Sequence, residues 1–208
     1  MNYIREICSF LFDLIPVVGK KNKIKGVPLY KFLGGVKIRG NNNVIKCYTN
    51  KIGNMKITIY GNNHYLEIGK DVIYKKGTIW FEDNNNKIII GEKSTIEDAH
   101  LAAAENDTII TIGENCMLSS DIYITTTDSH SILNIETGTR TNKASNVTIG
   151  KHVWIGRNVT INKGTVLGDN TIVSGNSVCT KTYPENTIVA GIPAKVIREK
   201  VTWQRERI

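Results

Sequence analysis

An aliphatic side chain recurs at every sixth position from Ile149 to Val173: Ile149, Ile155, Ile161, Leu167, Val173. Glycine follows three of them, at Gly150, Gly156 and Gly168, and a small or β-branched residue stands four places on, at Val153, Val159, Thr165, Thr171 and Ser177. A six-residue period fits neither an α-helix, at about 3.6, nor a plain strand, at about 2. It fits a chain that makes a short strand, turns a corner and returns above itself after eighteen residues, an all-β solenoid of the parallel β-helix type. The large aliphatic then points inward and the small residue packs beside it. The pairs Gly150-Lys151, Gly156-Arg157 and Gly168-Asp169 suit tight or left-handed corners. One coil cannot bury its own apolar face, so coils must stack, about 4.8 Å apart and hydrogen-bonded to one another. The alternative, ordinary strands in a sandwich, does not account for five consecutive matching registers.

Upstream the register continues in longer coils. Apolar strands follow the corners Gly40-Asn41-Asn42-Asn43, Gly61-Asn62-Asn63-His64, Asp83-Asn84-Asn85-Asn86 and Glu105-Asn106-Asp107-Thr108, whose starts lie 21, 22 and 22 residues apart. These coils read as eighteen residues plus about four at one corner, with Asn and Asp accepting left-handed backbone. The repeat breaks over 131–146, where Glu136 to Arg140 carries no apolar period. An excursion from a regular solenoid is a candidate functional loop. The predicted layout is an N-terminal amphipathic helix (about 2–14) and lead-in over 1–35, the β-helix over 36–198, and a polar helical tail over 199–208.

A net charge of +8 and a pI near 9.3 allow nucleic acid, an anionic membrane surface or a phosphate-bearing cofactor as partner. The basic residues are dispersed and no aromatic-interleaved basic motif appears, so no nucleic-acid partner is expected. Cys8, Cys47, Cys116 and Cys179 form no CxxC pair and no zinc spacing. Cys116 and Cys179 fall on rung positions and read as buried thiols, which suits the cytoplasm. The apolar N-terminal stretch is interrupted by Arg5, Glu6 and Asp13 and closed by Pro16 and Gly19, too short to span a bilayer. A helix there either packs on the solenoid or touches a partner or the inner membrane surface.

The hexads, with Val189-Ala190-Gly191-Ile192-Pro193-Ala194-Lys195-Val196-Ile197 after them, resemble the hexapeptide-repeat acyltransferase superfamily. Within it the pattern is most similar to the galactoside, maltose and nodulation-factor O-acetyltransferases, and in size to bacterial capsular-polysaccharide O-acetyltransferases. The resemblance covers about 112–198 strongly. It implies a left-handed β-helix, against the usual right-handed crossover. It also implies a homotrimer, acetyl-CoA as cosubstrate with no metal, and a carbohydrate acceptor held between neighbouring subunits. The family's signature histidine and tryptophan match His130 in Asp128-Ser129-His130-Ser131 and Trp154 in Val153-Trp154-Ile155-Gly156, 24 residues apart.

The chemistry follows from those residue types. A neutral imidazole, with an ordinary pKa of roughly 6.5, is a natural general base for a hydroxyl attacking a thioester. His130 takes that role. Asp128 either orients its ring or bonds its own corner backbone. Trp154 neighbours the inward Ile155 and should project outward, as a wall of the acetyl or acceptor cleft or as a trimer contact. The resemblance places the oxyanion donor at a backbone N–H near Gly156 or Arg157. It places acetyl-CoA along Gly156, Arg157, Gly175, Thr180, Lys181, Lys195 and Arg198, the last three facing phosphates. Arg157 stands where the family has a small residue, so its role falls to its backbone; Lys195 stands where arginine is common and lacks the bidentate fork. His100 reads as an acceptor contact or a solvated rung residue, His152 as exposed and His64 as structural.

Other readings share the fold. A sugar-nucleotide N-acetyltransferase or serine O-acetyltransferase differs only in acceptor, although serine acetyltransferases usually carry a longer helical N-terminal domain than the short helix expected here. A γ-carbonic-anhydrase-like zinc enzyme needs two closely spaced histidines, and the intervals here are 36, 30 and 22 residues. A silent scaffold or adhesin leaves the histidine–tryptophan pair and the loop without a purpose.

Overall fold

The structure is a computed structural model that describes residues 17–26 and 35–208. The expected helix over 2–14 lies outside the described residues. The chain winds into a left-handed parallel β-helix of about seven turns. Its first wall carries the opening halves of the nine-residue strands Ile52–Tyr60, Ile73–Phe81 and Thr95–Ala103, then Met117–Leu118, Trp154–Ile155, Ile172–Val173 and Thr187–Gly191. The second wall begins with Val17–Val18 and Val36–Arg39. It takes the closing halves of the same long strands and ends with Ile122–Thr125, Thr160–Ile161 and Val178–Cys179. The third wall has eight strands, from Lys23–Lys25 to Thr182–Tyr183. Edge A joins the first and second walls, edge B the second and third, and edge C the third and first. Among the described residues the column already includes Val17–Val18 and Lys23–Lys25, upstream of residue 36.

The hexad aliphatics Ile149, Ile155, Ile161, Leu167 and Val173 are all buried, as are Val153, Val159, Thr165, Thr171 and Ser177. Each large aliphatic removed from water stabilises the column by about 1.5–3 kcal/mol. Burial pushes the thiols of Cys116 and Cys179 up to about 11 and about 12, so both act as core residues. In the longer coils the inward residues Tyr74, Ile79, Ile90 and Ile96 show where the extra length goes. The added residues lie at edge B, between Ile79 and Ile90, while edge A is one residue shorter than a hexad.

Edge B is built from polar ladders. Asn41, Asn62, Asn84 and Asn106 bond side chain to side chain at 3.0, 3.0 and 3.2 Å. Inside the column Asn43, His64, Asn86 and Thr108 form a buried ladder in which each of the first three side chains accepts the next coil's N–H. Asn42, Asn63, Asn85 and Asp107 supply the left-handed residue of each corner. In the hexads the left-handed residue is His152, Asn158 or Asn170, one place after each glycine–polar pair. The glycines serve another purpose: a Cβ on Gly156 would stand 2.6 Å from the backbone nitrogen of Gly175 in the coil above. They let coils close on one another.

The expected C-terminal helix over 199–208 does not form. Ala194–Glu199 instead runs antiparallel along Thr187–Gly191, and an extended tail follows. The open edge of the last rung takes up the chain's hydrogen bonds, which a helix would have left unmade. The tail is fixed to lower coils by the Trp203 indole N–H, which donates to the His152 carbonyl at 2.7 Å.

Candidate active site

The excursion leaves edge B after Ile122–Thr125 and rejoins the column at Val147–Ile149. It is pinned at three points. Arg140 donates from both terminal nitrogens to the Glu105 carboxylate, in the last Asn-type corner below. The Arg140 guanidinium holds the Glu105 carboxyl well below its usual range, at about 2. Lys163, in the coil above, donates to Asp128 at 2.5 Å and to the Asn142 carbonyl at 2.8 Å. The third point is Asn142 itself, which is buried. Its amide nitrogen donates to Asp128 and to the His130 carbonyl, and its oxygen accepts from the Ile132 N–H and Arg140 Nε.

His130 sits at the base of this braced loop, exposed to solvent. Ser129, left-handed with φ 66°, turns the chain so that the His130 N–H donates to the Asp128 carbonyl at 2.8 Å. The Asp128 carboxylate, held below its ordinary range first by Lys163 and then by Asn142, is committed to the loop anchors. Asp128 thus positions the backbone that carries His130, and its carboxylate does not bond the ring.

Trp154 lies on the first wall, directed outward and 39% exposed, with Ile155 beside it buried. The C-terminal tail reaches it. Trp203 stacks on His152 at 4.2 Å and meets Trp154 at 6.0 Å. His152 is therefore covered and not freely exposed. In a triangular column edge B is opposite the first wall, so His130 and Trp154 stand on opposite sides of one protomer. They do not share a crevice within a single chain, because the column's own core separates them.

The remaining candidates divide in the same way. Gly156, Arg157 and Gly175 stack at edge A, and Lys195, opposite Ala190, lies close by. The Arg157 side chain turns down the column to Asp121, at 2.9 Å. Arg198 pairs with Ile188 at the other end of the first wall. Thr180 and Lys181 lie at edge B, one coil above Asn162 and Lys163. Among the described residues Lys181, Lys195 and Arg198 make no ion pair. His100 is on the outer face of the second wall, stacked on Tyr123 at 5.0 Å and hydrogen-bonded to Thr78. Burial lowers its pKa. His64 is buried in the edge B ladder, which bears out its structural reading. Among the described residues no three His, Cys, Asp or Glu side chains converge as a metal set.

The residues missing from the sequence reading are Asn142, Lys163 and Glu105, which brace the loop, and Trp203 and Arg205, which reach the first wall. Which charges meet depends on how the loop folds back on itself, through the isolated bridge between Leu133 and Arg140.

Comparison with known proteins places these features in a family. Residues 146–181 match the bacterial transferase hexapeptide family, described as six repeats. The chain is 33% identical over 172 residues to a putative lipopolysaccharide biosynthesis O-acetyl transferase, WbbJ, of Escherichia coli K12, covering 76% of this chain and 81% of that one. It is 34% identical over 139 residues to a polysialic acid O-acetyltransferase of Escherichia coli O1:K1, covering 67% of this chain and 42% of the relative. The matched segment thus spans under half of that relative's length. Among solved structures, the polysialic-acid-specific acetyltransferase NeuO superposes with a TM-score of 0.80 at 30% identity, over 91% of this chain and 87% of that one.

Proposed function

Because this chain belongs to the bacterial hexapeptide-repeat acyltransferases, we propose that it is an acetyl-CoA-dependent O-acetyltransferase acting on a hydroxyl of a surface polysaccharide, such as a capsule, or its precursor. One observation carries the reading: an exposed imidazole stands at the foot of a loop braced by Glu105–Arg140, Asp128–Lys163 and Asn142. Rigid support of this kind is what a general base needs, since a misplaced proton acceptor loses most of its effect.

The opposed placement of His130 and Trp154 supports a site assembled between protomers. A homotrimer of three-walled columns sets the first wall of one copy against edge B of the next. The residues for acetyl-CoA then come from both sides of that interface. Gly156, Arg157, Gly175, Lys195 and Arg198 lie on one copy, and Thr180 and Lys181 on the other. The chemistry of these groups fits the cosubstrate. Among the described residues Lys181, Lys195 and Arg198 make no ion pair, which suits them to phosphates.

Acetyl-CoA supplies an activated acyl group. His130 accepts the proton of the acceptor hydroxyl as that oxygen forms its bond to the acyl carbon, and returns the proton to the departing sulfur. The Arg157 backbone N–H donates to the oxygen on which charge develops, since that of Gly156 already donates to the Val173 carbonyl. No residue is acylated. The polysaccharide O-acetyl reading is preferred to N-acetyl or serine transfer because the relatives matched are a polysialic acid O-acetyltransferase and a putative lipopolysaccharide biosynthesis O-acetyl transferase. Cytoplasmic placement, at or near the inner membrane face, follows from where acetyl-CoA and polysaccharide precursors meet.

The test is thiol release from acetyl-CoA in the presence of isolated surface polysaccharide. His130→Ala should cut turnover by about 10²–10⁴-fold with the melting temperature unchanged. Wild-type turnover in that variant sinks the proposal.

A further inference from the structure

The C-terminal tail completes a cavity on the first wall. About 320 Å³ in volume, it is lined by Ile73, Met117 and Trp154 together with the charged Lys75, Glu97 and Arg205. Its floor is apolar and its indole wall is flat, the combination that receives a sugar ring. Lys75 is already paired with Glu97 at 2.8 Å.

Arg205 is different. One terminal nitrogen donates to the Thr95 hydroxyl and the other to the Cys116 carbonyl, both at 3.0 Å. The guanidinium lies 5.7 Å from the Trp203 ring centre. A guanidinium carries five N–H donors in a rigid plane, and two bonds fix that plane without exhausting it. Among the described residues no carboxylate pairs with Arg205. The result is an exposed, oriented cation beside Trp154, and because Lys75 and Glu97 balance one another it leaves the cavity with a net positive charge.

We infer that this cavity is a subsite for a carboxylate-bearing sugar unit of the acceptor, in which Arg205 pairs with the carboxylate while the ring lies against Trp154. The inference rests on the polysaccharide-acceptor reading above and deepens it. It makes the C-terminal tail part of the recognition apparatus and Arg205 a determinant of acidic over neutral acceptors. A carboxylate fits the planar fork bidentately, whereas a neutral ring leaves the cation with solvent only.

The experiment measures binding and needs no turnover, so its result is separate from that of the transfer assay. Tryptophan fluorescence of the full chain is titrated with oligomers of sialic acid and of galacturonic acid, and with the same oligomers after carboxyl reduction. Acetyl-CoA affinity is measured in parallel by calorimetry. At least one acidic oligomer should bind, and its reduced form at least tenfold more weakly. Arg205→Ala should abolish that difference and leave acetyl-CoA affinity unchanged. Arg205→Gln, which keeps an N–H donor on a shorter, uncharged side chain, should do the same with the fold held. Binding of no acidic oligomer, or undiminished preference in both variants, overturns the inference. So does loss of acetyl-CoA affinity in either variant, which would assign the cation to a cofactor phosphate.

Discussion

Arg140 grips both oxygens of the Glu105 carboxylate, at 2.8 and 2.5 Å, across 35 residues of chain. This pair ties the excursion that carries His130 to the last of the long coils. Glu105→Gln should therefore loosen the loop and lower transfer by about 10–100-fold, the scale of a small misplacement of a reacting group. The pH dependence has a definite sign. The folded carboxyl titrates at about 2 against an ordinary value of 4.5, so the pair's stabilisation is complete above about 4.5 and is lost as pH falls toward 2. The gap in melting temperature between wild type and Glu105→Gln should be constant from neutral pH to about 4.5 and close below it. A gap that closes above pH 5 would show that the clamp is not the source.

Asn142 tests the brace from the other side. Asn142→Ala strips partners from Asp128, the His130 carbonyl, the Ile132 N–H and Arg140, and should cost about 1–3 kcal/mol. Asn142→Asp keeps the acceptor for Ile132 and Arg140 but sets a carboxylate against Asp128. It should lower kcat at least as much as Asn142→Ala, with KM for acetyl-CoA unchanged in both. Equal kcat in wild type and Asn142→Asp would separate the amide from the positioning of His130.

The column was legible because its signal is repetition. The aliphatic sixth positions and the Asn-rich corners each fix a register by themselves, and the structure places them inward and at edge B as expected. The corner glycines were misread, since at Gly156 the constraint is the approach of Gly175 in the next coil and not the backbone angle. Single contacts between distant segments leave no period in a sequence. Trp203 reaching the His152 carbonyl across 51 residues, or Lys163 reaching Asp128, follows from the fold alone. The polar tail looked helical because nothing in Glu199 to Ile208 reveals that the last rung has an open edge to cap. His130 and Trp154 were recognisable individually, but their opposed faces emerge only from the assignment of strands to walls.

His64 gives the fold a second pH window. Burial, above all, lowers its pKa, with the Tyr60 and Asp83 carbonyls acting in the opposite direction. A histidine depressed in the folded state stays neutral there while the unfolded chain charges. Its contribution is complete above the ordinary value of 6.5 and is lost as pH falls below it. Burial depresses His100 in the same sense. Melting temperature should thus decline as pH falls below about 6.5, beginning well above the window of Glu105. His64→Asn, which matches Asn43 and Asn86 in the same ladder, should fold and flatten that decline. An unchanged slope would place its origin elsewhere.

The arrangement of the two sides permits a test that no single variant offers. If His130 of one protomer works with Trp154 of the next, His130→Ala and Trp154→Ala damage opposite halves of each interface. Each variant alone has no intact site. Mixed by co-refolding in equal amounts, the chains should form the proposed trimers, in which about a quarter of interfaces pair an intact His130 with an intact Trp154. Transfer should recover to about that fraction of wild type, and the doubly substituted chain mixed with either single variant should stay inactive. Absence of recovery, with mixed trimers confirmed by mass, would mean that the imidazole and the indole serve separate sites.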